Sequence, residues 1–412
     1  MTAQRLVVRL PASEAGARDR TYQIVVDPDA GAELRCAEEI DARAAEWVPS
    51  RKVGLITDEN VERLHAPRFE AALRARGFAV TKVVVPAGEA SKSLARVEMV
   101  ADAWVRAGLD RQALVVAVGG GVVGDLGGFC ASVLLRGVGF VQVPTTLMAQ
   151  VDSSVGGKTG VNLPSGKNLV GTFHQPRLVY ADLTTIATLP SEELMSGAAE
   201  VVKHGVIADP VLLSILEKHA ADVRAGTLPL VSEMVMRSCA LKARVIMADE
   251  TESDPRARGG GRARLNFGHT VGHALETASQ GGPQPLRHGE AVALGMLAAA
   301  RVSRLLGLDQ TLEPRLRSLL TALSLPVNLD ERLSADVLRL VEVDKKRAGA
   351  ELRFVVVERV GISVEPRGVQ SGAEPVRVTF RLHGAREPWH LKQDGEITNR
   401  RNSKIDTAVE SE

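Results

Sequence analysis

Three cysteines in 412 residues (Cys36, Cys130, Cys239) lie far apart, in no metal-binding or redox spacing, which excludes a disulfide framework and a cysteine-built metal site. They read as small buried residues of a reducing compartment. Charge of one sign is also lacking. Lys and Arg number 51 against 50 Asp and Glu, so no global field draws the chain to nucleic acid or an anionic membrane. Any anionic substrate must then be met by locally clustered bases. No apolar run is long enough to span a bilayer, and the first residues lack the apolar core of a signal peptide, so a cytoplasmic protein is expected. Internal repeats are absent too.

Apolar residues make up 45% of the chain, enough for large cores, and the length suggests two or three domains. The first half alternates short β-rich runs with helical stretches. The runs are Val53 to Thr57, Phe78 to Val85, Ala113 to Gly121, Phe140 to Pro144 and Leu178 to Asp182. This alternation predicts a parallel sheet covered on both faces, with ligands at the carboxyl ends of its strands. From about Ser191 helical periodicity takes over, in 191–207, 211–225, 230–249, 270–279 and 289–306, with another helix starting near Leu312. A hairpin is expected within 352–365, turning near Gly361. The domains expected are 1–185 (α/β), 186–380 (mostly helical) and a polar extension, 381–412, with little that could pack.

Four segments carry chemistry. Val118 to Asp125 (VGGGVVGD) follows an apolar strand and contains G-x-G-x-x-G at Gly119, Gly121 and Gly124. Such glycines let a backbone approach a pyrophosphate at a helix N-terminus. The ribose-binding acid expected about twenty residues later is missing. Asp58, ending an earlier strand, is better placed for that role, which implies a strand arrangement other than the commonest one. Next, 151–168 (VDSSVGGKTGVNLPSGKN) holds two Gly-Lys pairs and reads as a flexible polar loop for an anion or hydroxylated substrate. It is not a Walker A motif, because the spacer between glycines is absent.

The remaining two segments propose a metal. His269 and His273 are spaced to share one helical face. Elsewhere, RHGEAVALGM supplies His288 and Glu290, and SGAAEVVKHG puts Glu200, Lys203 and His204 on one face of an apolar helix. A carboxylate and a lysine in such a setting are expensive unless paired, ligating or catalytic. Spacing alone does not choose three ligands from Glu200, His204, His269, His273, His288 and Glu290.

Read together, VPTTLMAQVDSSVGGKTGVN, SGKNLVGTFHQP, SGAAEVVKHGVI, LNFGHTVGHALE, HGEAVALGM and DKK resemble the dehydroquinate synthase family of sugar phosphate cyclases, in order from about Asp58 to Glu365. The resemblance implies a Rossmann-like α/β NAD-binding domain, a helical metal-binding domain and an active site in the cleft between them. It implies Glu200, His269 and His288 as ligands of zinc, with cobalt as an alternative. His273 then becomes a substrate or proton-relay residue. Implied NAD contacts, Asp58 apart, are Ala87, Gly88, Glu89, Ala90, Ser91, Lys92, Gly121, Val122, Val123, Gly124, Asp125, Thr145, Thr146, Lys158, Lys167, Thr185, Ile186, Ala187 and Thr188. Implied catalytic residues are Lys158, Lys203, Lys242, Arg262, Asn266 and His273, and Arg136, Asp152, Asn168, Glu252 and Lys345 would contact substrate.

The reaction implied is the conversion of 3-deoxy-D-arabino-heptulosonate 7-phosphate (DAHP) to 3-dehydroquinate in the shikimate pathway. Transient oxidation by NAD, phosphate elimination, re-reduction and aldol closure follow one another, for a net carbon–oxygen lyase reaction. A homodimer is implied as well. Two rival readings are another sugar phosphate cyclase and a metal-dependent polyol dehydrogenase, which would accumulate NADH. An insertion near Pro255 to Gly261 leaves Arg264 as the alternative to Arg262, and the extension after 381 has no counterpart in the family pattern.

Overall fold

The computed structural model describes residues 2–10, 19–252, 261–347, 354–364, 378–380, 389–391 and 397–398. The chain divides into two compact units. One comprises Met1–Gly197 with Ala225–Ser253, the other Ala198–Arg224 with Asp254–Glu412.

The first unit is built on a seven-stranded sheet. Its strands are β1 (Gln4–Val8), β2 (Tyr22–Asp27), β3 (Lys52–Asp58), β4 (Ala79–Val85), β5 (Leu114–Gly119), β6 (Gly139–Pro144) and, after a separate hairpin of β7 (Lys158–Leu163) and β8 (Gly166–Phe173), β9 (Leu178–Asp182). The spatial order is β1-β2-β9-β6-β5-β3-β4, and only β1 runs antiparallel. Its five strands expected from the sequence are all present, and β1 and β2 were not foreseen.

Alternation along each strand feeds two cores. Val53, Leu55, Leu114, Val116 and Val118 face one side with Phe69 and Leu73, while Ile56, Val115 and Ala117 face the other with Trp104 and Phe129. Trp104 is fully buried against Gly54, where a Cβ would lie 2.7 Å from the indole. Burying such a ring contributes roughly 2–3 kcal/mol. From β3 to β9 the winding order is 2-1-3-4-5, so the chain reverses direction between β3 and β5. That reversal opens a crevice at the carboxyl ends of these strands. It also explains why the glycine turn lacks a following ribose acid: the turn comes after the third wound strand, and Asp58 closes the first.

The hairpin β7–β8 corrects one expectation. Residues 151–168 are not a flexible loop but a π-helical turn, Ala149–Ser153, followed by most of this hairpin. Glycine makes it possible. Gly160 and Gly171 are register partners, and a Cβ on Gly171 would stand 2.2 Å from the Thr159 carbonyl. The helix Leu228–Ala248, expected in the helical domain, groups with this sheet unit.

The second unit is mainly helical, with Pro210–Lys218, Ala220–Ala225, His269–Ser279, His288–Leu305, Leu312–Ala322 and Ala335–Arg347. The single helix expected over 211–225 is broken at His219. Strands β10 (Val356–Arg359) and β11 (Ile362–Val364) form the expected hairpin, with Gly361 at φ 90° in its turn. Past 381 the described residues, 389–391 and 397–398, pair as short strands beside 378–380. The rest of the extension, residues 255–260 and the side chain of Lys345 lie outside the described residues. Among those described, no helix is long and apolar enough to cross a membrane.

Candidate metal and nucleotide sites

Two helices of the second unit begin on histidine, and their crossing is made of glycine. A Cβ on Gly295 would lie 1.8 Å from the Gly268 carbonyl oxygen, and one on Gly272 would lie 3.1 Å from the Ala291 carbonyl oxygen. Backbone therefore touches backbone where His269–Ser279 meets His288–Leu305. This draws the two helix starts together, leaving the His269 and His288 ring centroids 5.5 Å apart. Glu200, fully buried on the helix Ser191–Ala208, completes the cluster. Its Oε1 lies 3.2 Å from His288 Nε2 and 3.6 Å from His269 Nε2.

Those spacings suit a metal. Two donors on a tetrahedral zinc, with bonds of about 2.0–2.1 Å, stand about 3.3–3.4 Å apart. All three donor atoms lie within 4.8 Å of one another. The imidazoles are also oriented for ligation. His269 Nδ1 donates to the Phe267 carbonyl at 3.2 Å, and His288 Nδ1 pairs with Glu276 Oε2 at 3.0 Å. Each ring thus turns Nε2 toward Glu200. His273 is exposed, with its ring 5.1 Å from that of His269, and lies outside the ligand triplet. One helical face does carry both histidines, and it is His269 that joins Glu200 and His288 in the donor triplet.

Charge in the cluster is set by burial and by the neighbouring groups. Burial opposes charge on Glu200, yet Lys203, His269 and His288 hold its carboxyl well below the usual range. Lys203 is buried and ion-paired with Glu200. Burial, reinforced by Lys203, pushes the His269 imidazole down to about 3. Burial also opposes charge on His288, but its bonds to Glu200 and Glu276 outweigh this and lift it to about 10. His204, one turn beyond Glu200, is buried in the helix. Arg262 is buried in the short turn Gly261–Asn266, Arg264 is half-buried and Asn266 is exposed. Glu290 does not join the metal cluster; its carboxylate accepts from the Arg287 backbone N–H at 2.8 Å, capping its own helix.

In the first unit the glycine turn lies at the crevice between β3 and β5. Gly119 ends β5, and the helix Gly121–Val133 starts two residues later. The glycines serve close packing first. A Cβ on Gly119 would meet Val123 at 2.6 Å, and one on Gly124 would meet Gln142 at 2.5 Å. The helix thereby lies close on the sheet, and the N–H groups of Gly121, Val122 and Val123 form its unbonded first turn. The buried Thr145 hydroxyl, just past β6, has no hydrogen-bond partner among the described residues. These free donors fit a nucleotide phosphate. Asp58 caps the next helix through Asn60 and Val61, at 2.9 and 3.0 Å, leaving one carboxylate oxygen outside the cap. Thr146 is half-buried, and Thr185 and Ile186 are buried in the turn Leu183–Thr188, where Ala187 and Thr188 are exposed.

A polar ring ties the 87–92 segment to the hairpin. Lys92, 5% exposed, bonds Asp125 Oδ2 at 2.8 Å and Asn168 Oδ1 at 2.5 Å. Asn162 closes the ring: its N–H donates to the Lys92 carbonyl at 2.9 Å, and its Oδ1 accepts from the Asn168 N–H at 2.8 Å. Its amide Nδ2 also donates to Glu89 at 2.8 Å. Burial raises the Asp125 carboxyl, with Lys92 opposing. Nearby, Lys242 Nζ lies 2.8 Å from Asp152 Oδ1 in the π-helical turn, and Lys158 is ion-paired with Glu252. Gln150 pins that turn, donating to the Pro144 and Asp182 carbonyls at 3.2 and 3.1 Å. Arg136 and Lys167 are exposed. Arg136, Asn168 and Glu252 have left-handed backbones, at φ 71°, 55° and 58°. Residues with side chains rarely hold this geometry unless their surroundings impose it, and such strain clusters at functional sites.

Sequence reasoning missed Asn162, Glu276, Gly272 and Gly295. Glu276 had a signal, since a metal-bound histidine needs an acceptor on its other nitrogen. The glycines had one in their repetition around the two histidine helices.

A sheet wound in this order, with a glycine turn at its switch point, and a separate helical unit carrying a Glu-His-His cluster define a class: metal-binding enzymes with a nucleotide fold. Solved structures share that plan. One is 2-epi-5-epi-valiolone synthase from Streptomyces hygroscopicus subsp. jinggangensis with NAD+ and Zn2+ bound, at TM-score 0.73 and 28% identity, covering 83% of this chain and 91% of that one. Another is 2-deoxy-scyllo-inosose synthase complexed with carbaglucose-6-phosphate, NAD+ and Co2+, at TM-score 0.73 and 25% identity, covering 88% and 94%. Glycerol dehydrogenase from Schizosaccharomyces pombe, at TM-score 0.56 and 19% identity, covers 76% of this chain and 79% of its own and shares the fold alone.

Sequence narrows the class. The family described as 3-dehydroquinate synthase N-terminal matches residues 82–196, and 3-dehydroquinate synthase C-terminal matches 197–347. The 3-dehydroquinate synthase of Symbiobacterium thermophilum is 49% identical over 336 residues, covering 80% of this chain and 91% of that protein. That of Rhodopseudomonas palustris is 42% identical over 375 residues, covering 89% and 94%. The chain belongs to the 3-dehydroquinate synthase family.

Proposed function

We propose that the chain converts DAHP to 3-dehydroquinate and phosphate, as a carbon–oxygen lyase of the shikimate pathway, with NAD and zinc as cofactors and cobalt as a competent substitute. The observation that carries this reading is the Glu200–His269–His288 donor set at zinc spacing, in a chain 49% identical to a named 3-dehydroquinate synthase. Bound NAD supplies reversible hydride acceptance, and the metal supplies electron withdrawal from a substrate hydroxyl.

The protein's residues do the rest. Gly121, Val122, Val123 and Thr145 offer donors to the dinucleotide, with Asp58, Thr146, residues 87–92, Gly124, Asp125, Lys158, Lys167 and 185–188 around it. Lys158, Lys203, Lys242, Arg262 and Asn266 hold the phosphate and carboxylate as charged or hydrogen-bonding partners. Arg136, Asp152, Asn168, Glu252 and Lys345 contact the remaining substrate groups. His273, exposed beside a metal ligand, passes protons between substrate and solvent. The residues divide as 1–185 for NAD, 186–380 for metal and substrate, and 381–412 as an extension. The working protein is a cytoplasmic homodimer.

The test is product analysis. Incubation with DAHP, NAD and zinc is expected to yield 3-dehydroquinate, and omitting any one of them abolishes the product. A different carbocycle from a different sugar phosphate, with none from DAHP, would overturn the reading in favour of another cyclase.

A further inference from the structure

Both histidines at the metal cluster occupy the first position of a helix. His269 opens His269–Ser279 and His288 opens His288–Leu305. A helix start carries partial positive charge, about half a unit each, which disfavours a dication. Lys203 adds a buried positive charge beside Glu200. Glu200 therefore faces a metal ion, two helix starts and an ammonium. Further negative charge behind the ligands favours a dication there.

Glu276 is placed to supply it. Its side chain is 12% exposed, on the last turns of the helix that His269 begins, and its Oε2 is 3.0 Å from His288 Nδ1. The other ligand histidine has only a backbone carbonyl behind it. The second contacts of the two imidazoles are thus unequal, one to a carboxylate and one to a peptide carbonyl. Glu276 also spans the glycine crossing, tying the late part of one helix to the first residue of the next.

We propose that Glu276 is a positioning residue for the metal. Its carboxylate keeps the His288 proton on Nδ1, aims Nε2 at the ion and adds the negative charge that makes the pocket hold a dication. The inference rests on Glu200, His269 and His288 being the ligands, and the experiment separates the two claims.

Metal-stripped protein is titrated with zinc against a chromophoric chelator, for the parent, Glu276→Ala, Glu276→Gln and His269→Ala. Loss of an outer contact of this kind weakens metal binding by about 10- to 100-fold. Glu276→Ala is expected to fall in that range. Glu276→Gln keeps an acceptor but not the charge, and is expected to lie between it and the parent. His269→Ala is expected to lose the site. The visible spectrum of the cobalt-loaded forms gives a readout that a merely structural role would leave unchanged, and it is expected to shift in both Glu276 variants. If Glu276→Ala does not fold, the isosteric Glu276→Gln carries the test. Parental zinc affinity and cobalt spectrum in Glu276→Gln, with His269→Ala metal-free, overturn the role of Glu276 alone. Parental affinity in His269→Ala overturns the ligand set itself.

Discussion

Adding one methyl group at Gly295 is expected to disassemble the metal centre without touching a ligand. A Cβ there would lie 1.8 Å from the Gly268 carbonyl oxygen and 2.8 Å from the Gly272 N–H nitrogen. Real contacts of this kind do not fall below 3.0 Å, so the two helices must part by at least about 1.2 Å. Both groups are backbone, and no side chain can swing away. Overpacking a well-filled core typically costs about 1–3 kcal/mol, and a backbone clash belongs at or above the top of that range. The metal is the more sensitive reporter. Two donors sharing a zinc can be no more than about 4.2 Å apart, even in line through it. Parting the helices carries His288 Nε2 away from Glu200 Oε1, which it now meets at 3.2 Å. Gly295→Ala should therefore show a lowered denaturation midpoint and substoichiometric zinc after equilibration and gel filtration. Full zinc content with an unchanged midpoint would refute the claim that the glycine crossing assembles the site.

Three further outcomes follow from the same geometry. His269→Ala is expected to lose metal and activity together, whereas His273→Ala keeps its metal and loses rate. Metal analysis of the two purified variants distinguishes a ligand from its neighbour. In the metal-free protein, His288 is raised to about 10 from about 6.5, so its stabilisation is complete below pH 6.5 and is lost as pH rises through 10. Zinc must displace that proton, so uptake near pH 7 should release about one proton per ion, read with an indicator dye in weak buffer. Absence of proton release would contradict the pairing with Glu200 and Glu276. Asn162→Ala opens the polar ring that holds Asn168 in its left-handed backbone. It is expected to raise KM for DAHP severalfold, read from initial rates.

Much of this architecture was legible in the sequence because its signals are local. Val53 to Thr57 and Leu178 to Asp182 are short apolar runs between helices, which only a doubly covered parallel sheet accommodates. The missing ribose acid pointed away from the commonest winding order, and the sheet winds 2-1-3-4-5 instead. What escaped were contacts between distant segments. The hairpin β7–β8 was unreadable because lysine, asparagine and glycine break the alternation that marks a strand, and its register depends on a glycine pair facing each other across it. Edge strand β1 is largely exposed, and its apolar run is only three residues, Leu6 to Val8. The periodicity of 230–249 showed a helix but not which core it serves. At the metal site, spacing offered His269 with His273 on one face. The choice of Glu200 and His288 came from resemblance, since no rule of periodicity says that a helix some seventy residues away passes the same point.

In the proposed reaction hydride leaves the substrate for NAD and returns within one turnover while phosphate departs. Phosphate release and nicotinamide absorbance followed together in one reaction of purified protein, zinc, NAD and DAHP measure this directly. Many equivalents of phosphate per enzyme are expected, with no net accumulation of NADH. Sustained NADH formation, or no phosphate release from DAHP, would contradict it.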